Sequence, residues 1–192
     1  MEEHDLIEID FEEPYFQIEE AYPMPAECEY VYAVFVQAVK QHIVAHEIPK
    51  FFPCKAMNPI LVRRRWKQKT YKEITYSLMP GYIFLFSNEK MEPARVRKLD
   101  GVLKVLQYDE GQYALTEEDE RLARWLAQYD GSIGISQAIQ VGDRIQVVEG
   151  PMKDNIGKIL TVNKHKRCAK VEFQFTGTVF NVWMDFDWLE RG

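Results

Sequence analysis

The sequence predicts an α+β protein. Strands and helices are mixed up to about residue 130, and a linker and five short strands follow. Three observations predict this order. An aromatic and β-branched run at residues 30–36 leads into a helical pattern, and a second run at residues 78–86 is apolar almost throughout. Residues 141–175 then alternate apolar and polar side chains between glycine-containing turns, so the last third of the chain is predicted to contain only strands.

In the first half, residues 37–48 suit a helix whose apolar side is supplied by Val39, Ile43 and Val44. Residues 60–77 are strand-like at both ends and basic in the centre. The apolar run at residues 78–86 should be a central strand that is covered on both faces. We therefore expect a sheet whose middle strand comes from that run.

Two further helices are predicted before residue 130. Pro93 fits the first turn of a short helix that reaches Leu99. Thr116 is a good N-cap, and the acids that follow it complement the helix dipole. The apolar side chains of this last helix recur at the spacing of one buried face: Leu122, Trp125, Leu126 and Tyr129.

The rest of the chain is predicted to be β. Residues 131–139 have the composition of a linker, and Thr176–Gly177 is a tight-turn signal. Gly150 and Gly157 indicate sharp bends with close packing of the backbone. The five predicted strands lie near residues 144–149, 157–163, 168–175, 178–184 and 186–189.

Charge is divided unevenly along the chain. The net charge is -6, but residues 1–29 contain eleven acids and no Lys or Arg. The remainder holds 24 bases and 19 acids, so a basic body follows an acidic N-terminal extension. The extension is expected to be disordered; docking on a basic surface of the body is the alternative, which its aromatic residues keep open.

The composition argues for a cytoplasmic protein without a cofactor. Cys28, Cys54 and Cys168 are widely spaced and predict reduced thiols, and the acidic start is unlike a signal peptide. His42 and His46 have a spacing that could bind metal, but a surface histidine pair is favoured because no third ligand is evident. No catalytic signature is present, so nothing in the sequence argues for an enzyme.

Two motifs together carry a family resemblance. Residues 141–163 (VGDRIQVVEGPMKDNIGKILTVN) resemble the KOW motif of small β-barrels. They follow the Pro-Gly-Tyr run of residues 79–83, in the order and at the distance of the NusG family of transcription elongation factors. The resemblance covers all but the acidic extension at 1–29. It implies an N-terminal NusG (NGN-like) domain at 30–130, which is an α/β sandwich with an antiparallel sheet and flanking helices. A linker at 131–139 and a small five-stranded KOW (SH3-like) β-barrel at 140–192 follow.

The resemblance implies that the first domain binds the clamp helices of RNA polymerase through an apolar patch. The matching positions are Tyr32, Phe35, Met79, Pro80, Gly81 and Tyr82. Aromatic side chains of this kind anchor interfaces, although the same side chains could belong to the domain's own core. Tyr82 shares one strand face with Phe84 and Phe86, and the sequence does not say which face is open.

The densest positive charge lies between residues 63 and 72. Six bases and one aromatic ring suit phosphate contacts with base stacking: Arg63, Arg64, Arg65, Trp66, Lys67, Lys69 and Lys72. In the family, a hairpin at this position projects towards upstream DNA and the non-template strand, and nascent RNA is a second possible ligand. A solvated strand face is the alternative.

The KOW segment carries a candidate partner or RNA surface. Its residues are Met152, Lys153, Lys164, Lys166, Arg167 and Phe175. General family members present two aromatic residues in the loop that here runs from Gly150 to Gly157, where Rho or a ribosomal protein docks; both are absent. This departure puts those partners in doubt and points to a specialised paralog of the RfaH or LoaP kind, which antiterminates selected operons.

Two classes of function follow. The first is a polymerase-bound processivity and antitermination factor in the bacterial cytoplasm, associated with the nucleoid. The second is an RNA-binding or ribosome-associated KOW module that does not bind polymerase. The Pro-Gly-Tyr strand and the preceding α/β domain favour the first. The apolar residues of the barrel alternate with period two, so we predict that it stays β rather than refolding into helices.

Overall fold

A computed structural model describes residues 27–67, 69–142, 144–154 and 157–189. The predictions for the acidic extension lie outside these ranges, except at residues 27–29. The described residues form two compact units. The α/β unit contains residues 27–59 and 79–131, and the β unit contains residues 60–78 and 132–189. Among the described helices, none has the length and apolar character needed to cross a membrane.

Strands predominate in the described residues. They are β1 (Tyr30–Val36), β2 (Lys55–Met57), β3 (Ile60–Lys67), β4 (Thr70–Ser77), β5 (Tyr82–Ser87), β6 (Val102–Val105), β7 (Ser132–Ile133), β8 (Ser136–Val141), β9 (Arg144–Glu149), β10 (Lys158–Asn163), β11 (Cys168–Phe175) and β12 (Thr178–Trp188). The α-helices are α1 (Gln41–Glu47), α2 (Pro93–Val96) and α3 (Glu117–Gln128). Short 3-10 turns flank α1 at Ala38–Lys40 and Ile48–Lys50 and precede β10 at Pro151–Asp154. The predicted α+β class is confirmed.

The α/β unit is built on an antiparallel sheet with the order β2-β5-β1-β6. Strand β5 is internal, and its side chains on both faces are buried, as the apolar run predicts. One face packs with α1 and α2 in a cluster that includes Val34, Val44, Ile83 and Val96. The run is shorter than predicted, because its first four residues form the turn that leads into β5.

Helix α1 differs from the prediction in the face that it buries. Val44, Ala45 and Ile48 are buried, whereas Val39 is 80% and Ile43 50% exposed. The α-helical part is only seven residues long and has a 3-10 turn at each end. A 3.6-residue period therefore does not extend across the whole segment.

Helix α3 follows the prediction more closely. It begins after Thr116, whose backbone is extended as an N-cap requires, with acids through its first turn. The hydroxyl of Thr116 makes no capping hydrogen bond. Leu122, Trp125 and Leu126 are buried, so the predicted apolar face is confirmed for these three residues.

The β unit joins the β3–β4 hairpin to the C-terminal strands. β3 pairs with β4 and, in parallel, with β7, which gives a three-stranded sheet. The C-terminal strands form a curled five-stranded sheet with the order β10-β11-β12-β8-β9. Its chain connections include the predicted tight turn at residues 176–177 between β11 and β12.

Two of the five predicted C-terminal strands are corrected. The strands predicted at 178–184 and 186–189 are one continuous strand, β12. The fifth strand is β8, which begins within the predicted linker and pairs in parallel with the end of β12. Residues 131–139 are therefore largely paired backbone, because β7 and β8 both find long-range partners that local composition does not reveal.

Candidate functional sites

The turn before β5 depends on a glycine. Gly81 has a φ of +85°, and a Cβ atom built there would lie 2.8 Å from Phe35 Cε2 and 3.0 Å from the Val36 carbonyl oxygen. The Val36 N–H donates to the Gly81 carbonyl oxygen at 2.8 Å, which ties the turn to the end of β1. Any other residue would combine a strained backbone with a clash. The backbone conformation of the turn is therefore tightly restricted, which fixes the position of Tyr82 at the start of β5.

A buried glutamine from α1 holds the same turn. Gln41 donates from Nε2 to the carbonyl oxygens of Met79 at 3.2 Å and Tyr82 at 2.7 Å. Its Oε1 accepts from the Gly81 N–H at 2.9 Å. One side chain thus hydrogen-bonds three backbone groups of the turn, and the Met79 carbonyl oxygen also accepts from the Tyr82 N–H at 3.0 Å, so the turn is attached to the helix.

An aromatic pair stands beside this turn. Phe35 and Tyr82 are cross-strand neighbours, and their ring centroids are 5.0 Å apart with an interplanar angle of 54°. Both side chains are half-buried, and Lys104 Nζ lies 6.0 Å from the Phe35 ring centroid. Further along the same face of β1 and β5, Ala33 and Phe84 are fully buried. The face therefore opens at the Phe35–Tyr82 pair.

Three of the other predicted polymerase-binding residues are buried. Tyr32 and Met79 are both buried. The Tyr32 hydroxyl accepts from the Met91 N–H at 3.2 Å, and burial raises the pKa of this phenol. Of the six predicted positions, Phe35, Pro80 and Tyr82 are partly exposed, while Tyr32, Met79 and Gly81 shape the turn and core beneath them.

Arg63, the first of the predicted nucleic-acid-binding residues, lies at the base of the β3–β4 hairpin and forms a buried ion pair. Arg63 is 3% and Asp185 of β12 6% exposed. Arg63 donates to Asp185 Oδ1 from Nε at 3.1 Å and from Nη2 at 2.9 Å. The backbone N–H of Arg64 donates to Asp185 Oδ2 at 2.7 Å. Asp185 is thus a buried acceptor that binds the hairpin to the C-terminal sheet.

Three further arginines surround this pair. Arg64 Nη1 donates to Asp187 at 2.9 and 3.0 Å, and Arg167 Nη1 lies 3.6 Å from Asp187 Oδ1. Arg65 Nη1 is 3.8 Å from Asp185 Oδ2, and its guanidinium lies 5.8 Å from the Tyr76 ring centroid.

Cys168, which is opposite Asp185 in the β11–β12 register, has its pKa raised by burial. The Arg63 charge acts in the opposite direction, and that of Asp185 in the same direction as burial.

The tip of the hairpin has a different character. Trp66 and Tyr71 are cross-strand neighbours that are 63% and 65% exposed, with ring centroids 4.9 Å apart in an edge-to-face arrangement. Lys67, Lys69 and Lys72 are all exposed around this pair. Aromatic rings that remain open to solvent between cations can stack with bases while the cations contact phosphates. The tip is the part of the basic segment that is presented to solvent.

The predicted KOW surface is also divided. Met152 and Phe175 are buried, so they support the interior of the β unit. Lys153, Lys164, Lys166 and Arg167 are exposed. The predicted close packing at the KOW glycines is present, because a Cβ at Gly157 would lie 2.6 Å from Val171 Cγ1. The exposed part of this surface is therefore cationic rather than apolar.

Three site residues escaped the sequence analysis. Tyr71 could have been found by pairing the strands of the hairpin across its turn, which places it opposite Trp66. Gln41 and Asp185 had no local signal, because each acts on a segment distant in the sequence. Among the described residues, no group of His, Cys, Asp and Glu is arranged to hold a metal ion. Cys28, Cys54 and Cys168 are buried and are not joined by disulfides.

Comparisons with known proteins found one matching sequence motif and a similar structure. The KOW motif model matches residues 141–174. The structure is similar to one described as showing domain interaction in Thermotoga maritima NusG. The two share 19% identity and a TM-score of 0.51, over 83% of this chain and 95% of that chain. No curated protein matches in sequence. The protein therefore combines a KOW motif with a NusG-like fold, as the sequence motifs predicted.

Proposed function

We propose that this protein is a transcription elongation factor that binds RNA polymerase and promotes processive elongation, with antitermination at selected operons. The Phe35–Tyr82 pair on a NusG-like fold carries the proposal. The family resemblance assigned six residues to polymerase binding, and three of them are aromatic. Tyr32 is buried, which leaves Phe35 and Tyr82 as the aromatic side chains that a partner can reach. The clamp helices of polymerase are the proposed partner surface.

The geometry of the pair suits an interface anchor. Gly81 and Gln41 fix the backbone that carries Tyr82, so little conformational freedom remains to be lost when a partner binds. Half-buried aromatic rings with a rigid base are typical of the residues that dominate binding energy. Lys104, close to the Phe35 ring, adds a cation at the edge of the patch, where it would favour an acidic partner.

A second attachment through the hairpin tip would explain processivity. The exposed Trp66–Tyr71 pair and the neighbouring lysines suit contact with the non-template DNA strand or nascent RNA. A factor held by both polymerase and nucleic acid dissociates more slowly than one held by either alone, because each contact raises the local concentration of the other. The two contacts lie in different units, so they can be tested separately.

Polymerase binding tests the proposal directly. Tyr82→Ala should weaken binding to purified polymerase by about 1–3 kcal/mol, because it removes an anchor ring. Phe51→Ala is the matched control, since Phe51 is an exposed ring in the same unit but outside the patch. Equal affinities for the two variants, both shown to be folded by circular dichroism, would refute the assignment of the patch. Terminator read-through in a purified transcription assay tests the functional consequence.

An RNA-binding or ribosome-associated role is the second candidate. It is favoured by the KOW motif together with the exposed cations Lys164, Lys166 and Arg167. Polymerase and ribosomes separate readily by sedimentation, so the fraction in which the protein is recovered discriminates the two. Recovery with ribosomes and without polymerase would favour the second candidate. Docking of Rho or a ribosomal protein through the KOW loop is not proposed, because Met152 replaces an exposed aromatic residue there and is buried.

A further inference from the structure

Two basic segments about a hundred residues apart in the chain meet at one carboxylate. Asp187 of β12 accepts hydrogen bonds from Arg64 of the hairpin at 2.9 and 3.0 Å. Arg167, from the turn between β10 and β11, approaches the same carboxylate at 3.6 Å. The hairpin and this turn therefore adjoin each other within the β unit. The sequence analysis treated them as separate clusters.

The charge at the meeting point is positive. Four guanidinium groups surround the carboxylates of Asp185 and Asp187. Glu73, the cross-strand neighbour of Arg64, adds one more negative charge, which leaves one positive charge in excess. Lys164 and Lys166, in the same turn as Arg167, add two more. Only Arg63 is fully buried; the side chains of Arg64, Arg65 and Arg167 are 34%, 24% and 56% exposed.

The hairpin side chains that lead away from this point lie on one face. Arg64 and Trp66 are two residues apart on β3, so their side chains project to the same face about 7 Å apart. Tyr71 is opposite Trp66 and extends the platform across to β4. A tract thus leads from the aromatic pair at the tip, past Arg64, to Arg167 and the lysines of the turn.

We propose that this tract binds one single strand of nucleic acid, with bases on Trp66 and Tyr71 and phosphates along Arg64, Arg167 and the adjoining lysines. The inference extends the proposed nucleic-acid contact of the hairpin to the C-terminal sheet, and it rests on that contact. Exposed rings stack only with bases that are already unpaired, which selects a single strand over a duplex. Asp187 holds the two arginines side by side and makes no contact with the strand.

The test compares three variants of the full chain by fluorescence anisotropy at several salt concentrations. The turn variant carries Lys164→Gln and Lys166→Gln, and the tip variant carries Trp66→Ala and Lys69→Gln. The control variant carries Lys153→Gln and Lys158→Gln, which remove the same charge near the opposite end of β10. All the lysines are exposed, so the fold should survive; thermal unfolding checks this.

The probes are single-stranded DNA, single-stranded RNA and duplex DNA of about 15 nucleotides, together with single strands of about 4 nucleotides. We expect the turn variant to weaken binding of the longer single strands about 3- to 10-fold. It should also reduce the log–log salt slope by about 1.4, or 0.7 for each lost phosphate contact. The short strands should be bound equally by the turn variant and wild type, since they cover only the tip. The DNA and RNA probes identify which strand the tract prefers.

The outcomes separate this inference from the proposed function. If the turn variant behaves like the control variant while the tip variant loses affinity, the composite tract is refuted and the hairpin contact stands. If the tip variant also binds like wild type, the hairpin contact fails as well. Tighter binding of duplex than of either single strand would overturn the assignment of the ligand.

Discussion

The base and the tip of one hairpin use the same residue types for different purposes. At the base, Arg63 is buried, and its guanidinium donates hydrogen bonds to the Asp185 carboxylate instead of to solvent. At the tip, Trp66 and Tyr71 remain exposed among lysines. The tip is open to solvent, as the density of charge suggested, whereas Arg63 at the base is not. A run of basic residues therefore predicts a binding surface only where the fold leaves it without a buried partner.

The largest effect is expected at the base. Arg63→Ala should lower the free energy of unfolding of the β unit by about 3–5 kcal/mol, because it removes both Arg63 hydrogen bonds to the buried Asp185 carboxylate and leaves only the more distant Arg65 beside it. Lys67→Ala is the matched control: it lies on the same face of β3, removes the same charge and is exposed, so it should change stability by less than about 0.5 kcal/mol. Denaturant unfolding measures both.

A retained charge sharpens this prediction. Arg63→Lys keeps the cation but loses the two-nitrogen contact with Asp185 Oδ1, so its loss of stability should fall between those of Arg63→Ala and wild type. If Arg63→Ala and Lys67→Ala destabilise the protein equally, the buried ion pair does not distinguish the base from the tip.

The same comparison shows what the sequence can predict. The strand character of both ends of residues 60–77 and the central strand β5 follow from composition, which is a local property, whereas the hairpin between those ends was implied by the family resemblance. The Arg63–Asp185 pair joins residues 122 positions apart, and no local pattern encodes it. The β8 strand was missed for a related reason: its six residues, of which only half are apolar, form a strand that pairs in parallel with β12 and antiparallel with β9. Partners distant in the sequence therefore determine both that β8 is a strand and that Arg63 is buried.

The Phe35–Tyr82 site shows that the sequence also does not reveal which predicted side chains are exposed. Strand alternation correctly grouped Tyr82 with Phe84 and Phe86, but it could not show that the face is closed at Phe84 and open at Tyr82. The burial of Tyr32 likewise depends on its place in the α/β core, where its hydroxyl accepts from Met91. Residue type and periodicity select candidates, and packing then separates anchors from core residues.

An intermediate effect is expected at the tip, in binding rather than in stability. Trp66→Ala should weaken binding of a single strand by about 1–3 kcal/mol, because a stacking surface is lost. Unfolding free energy should change by less than about 0.5 kcal/mol, since the ring is mostly exposed. Trp66→Phe, which keeps a ring, should retain most of the affinity. A large loss of stability in Trp66→Ala would show that the tip is structural, like the base.

The smallest effect is expected at Asp187, which stands between the two regions. Asp187→Asn keeps the size of the side chain but removes the negative charge beside Arg64 and Arg167. This ion pair is partly exposed, so stability should fall by no more than about 1 kcal/mol. Binding of a single strand should tighten about 2- to 5-fold at low salt, because repulsion of the phosphates is reduced, and the gain should shrink as salt rises. Asp154→Asn, an equal change of charge at an exposed carboxylate outside the cluster, is the control. If Asp187→Asn binds more weakly than this control, the arginines need Asp187 in place to contact the strand, and the base of the hairpin then contributes to binding as much as its tip.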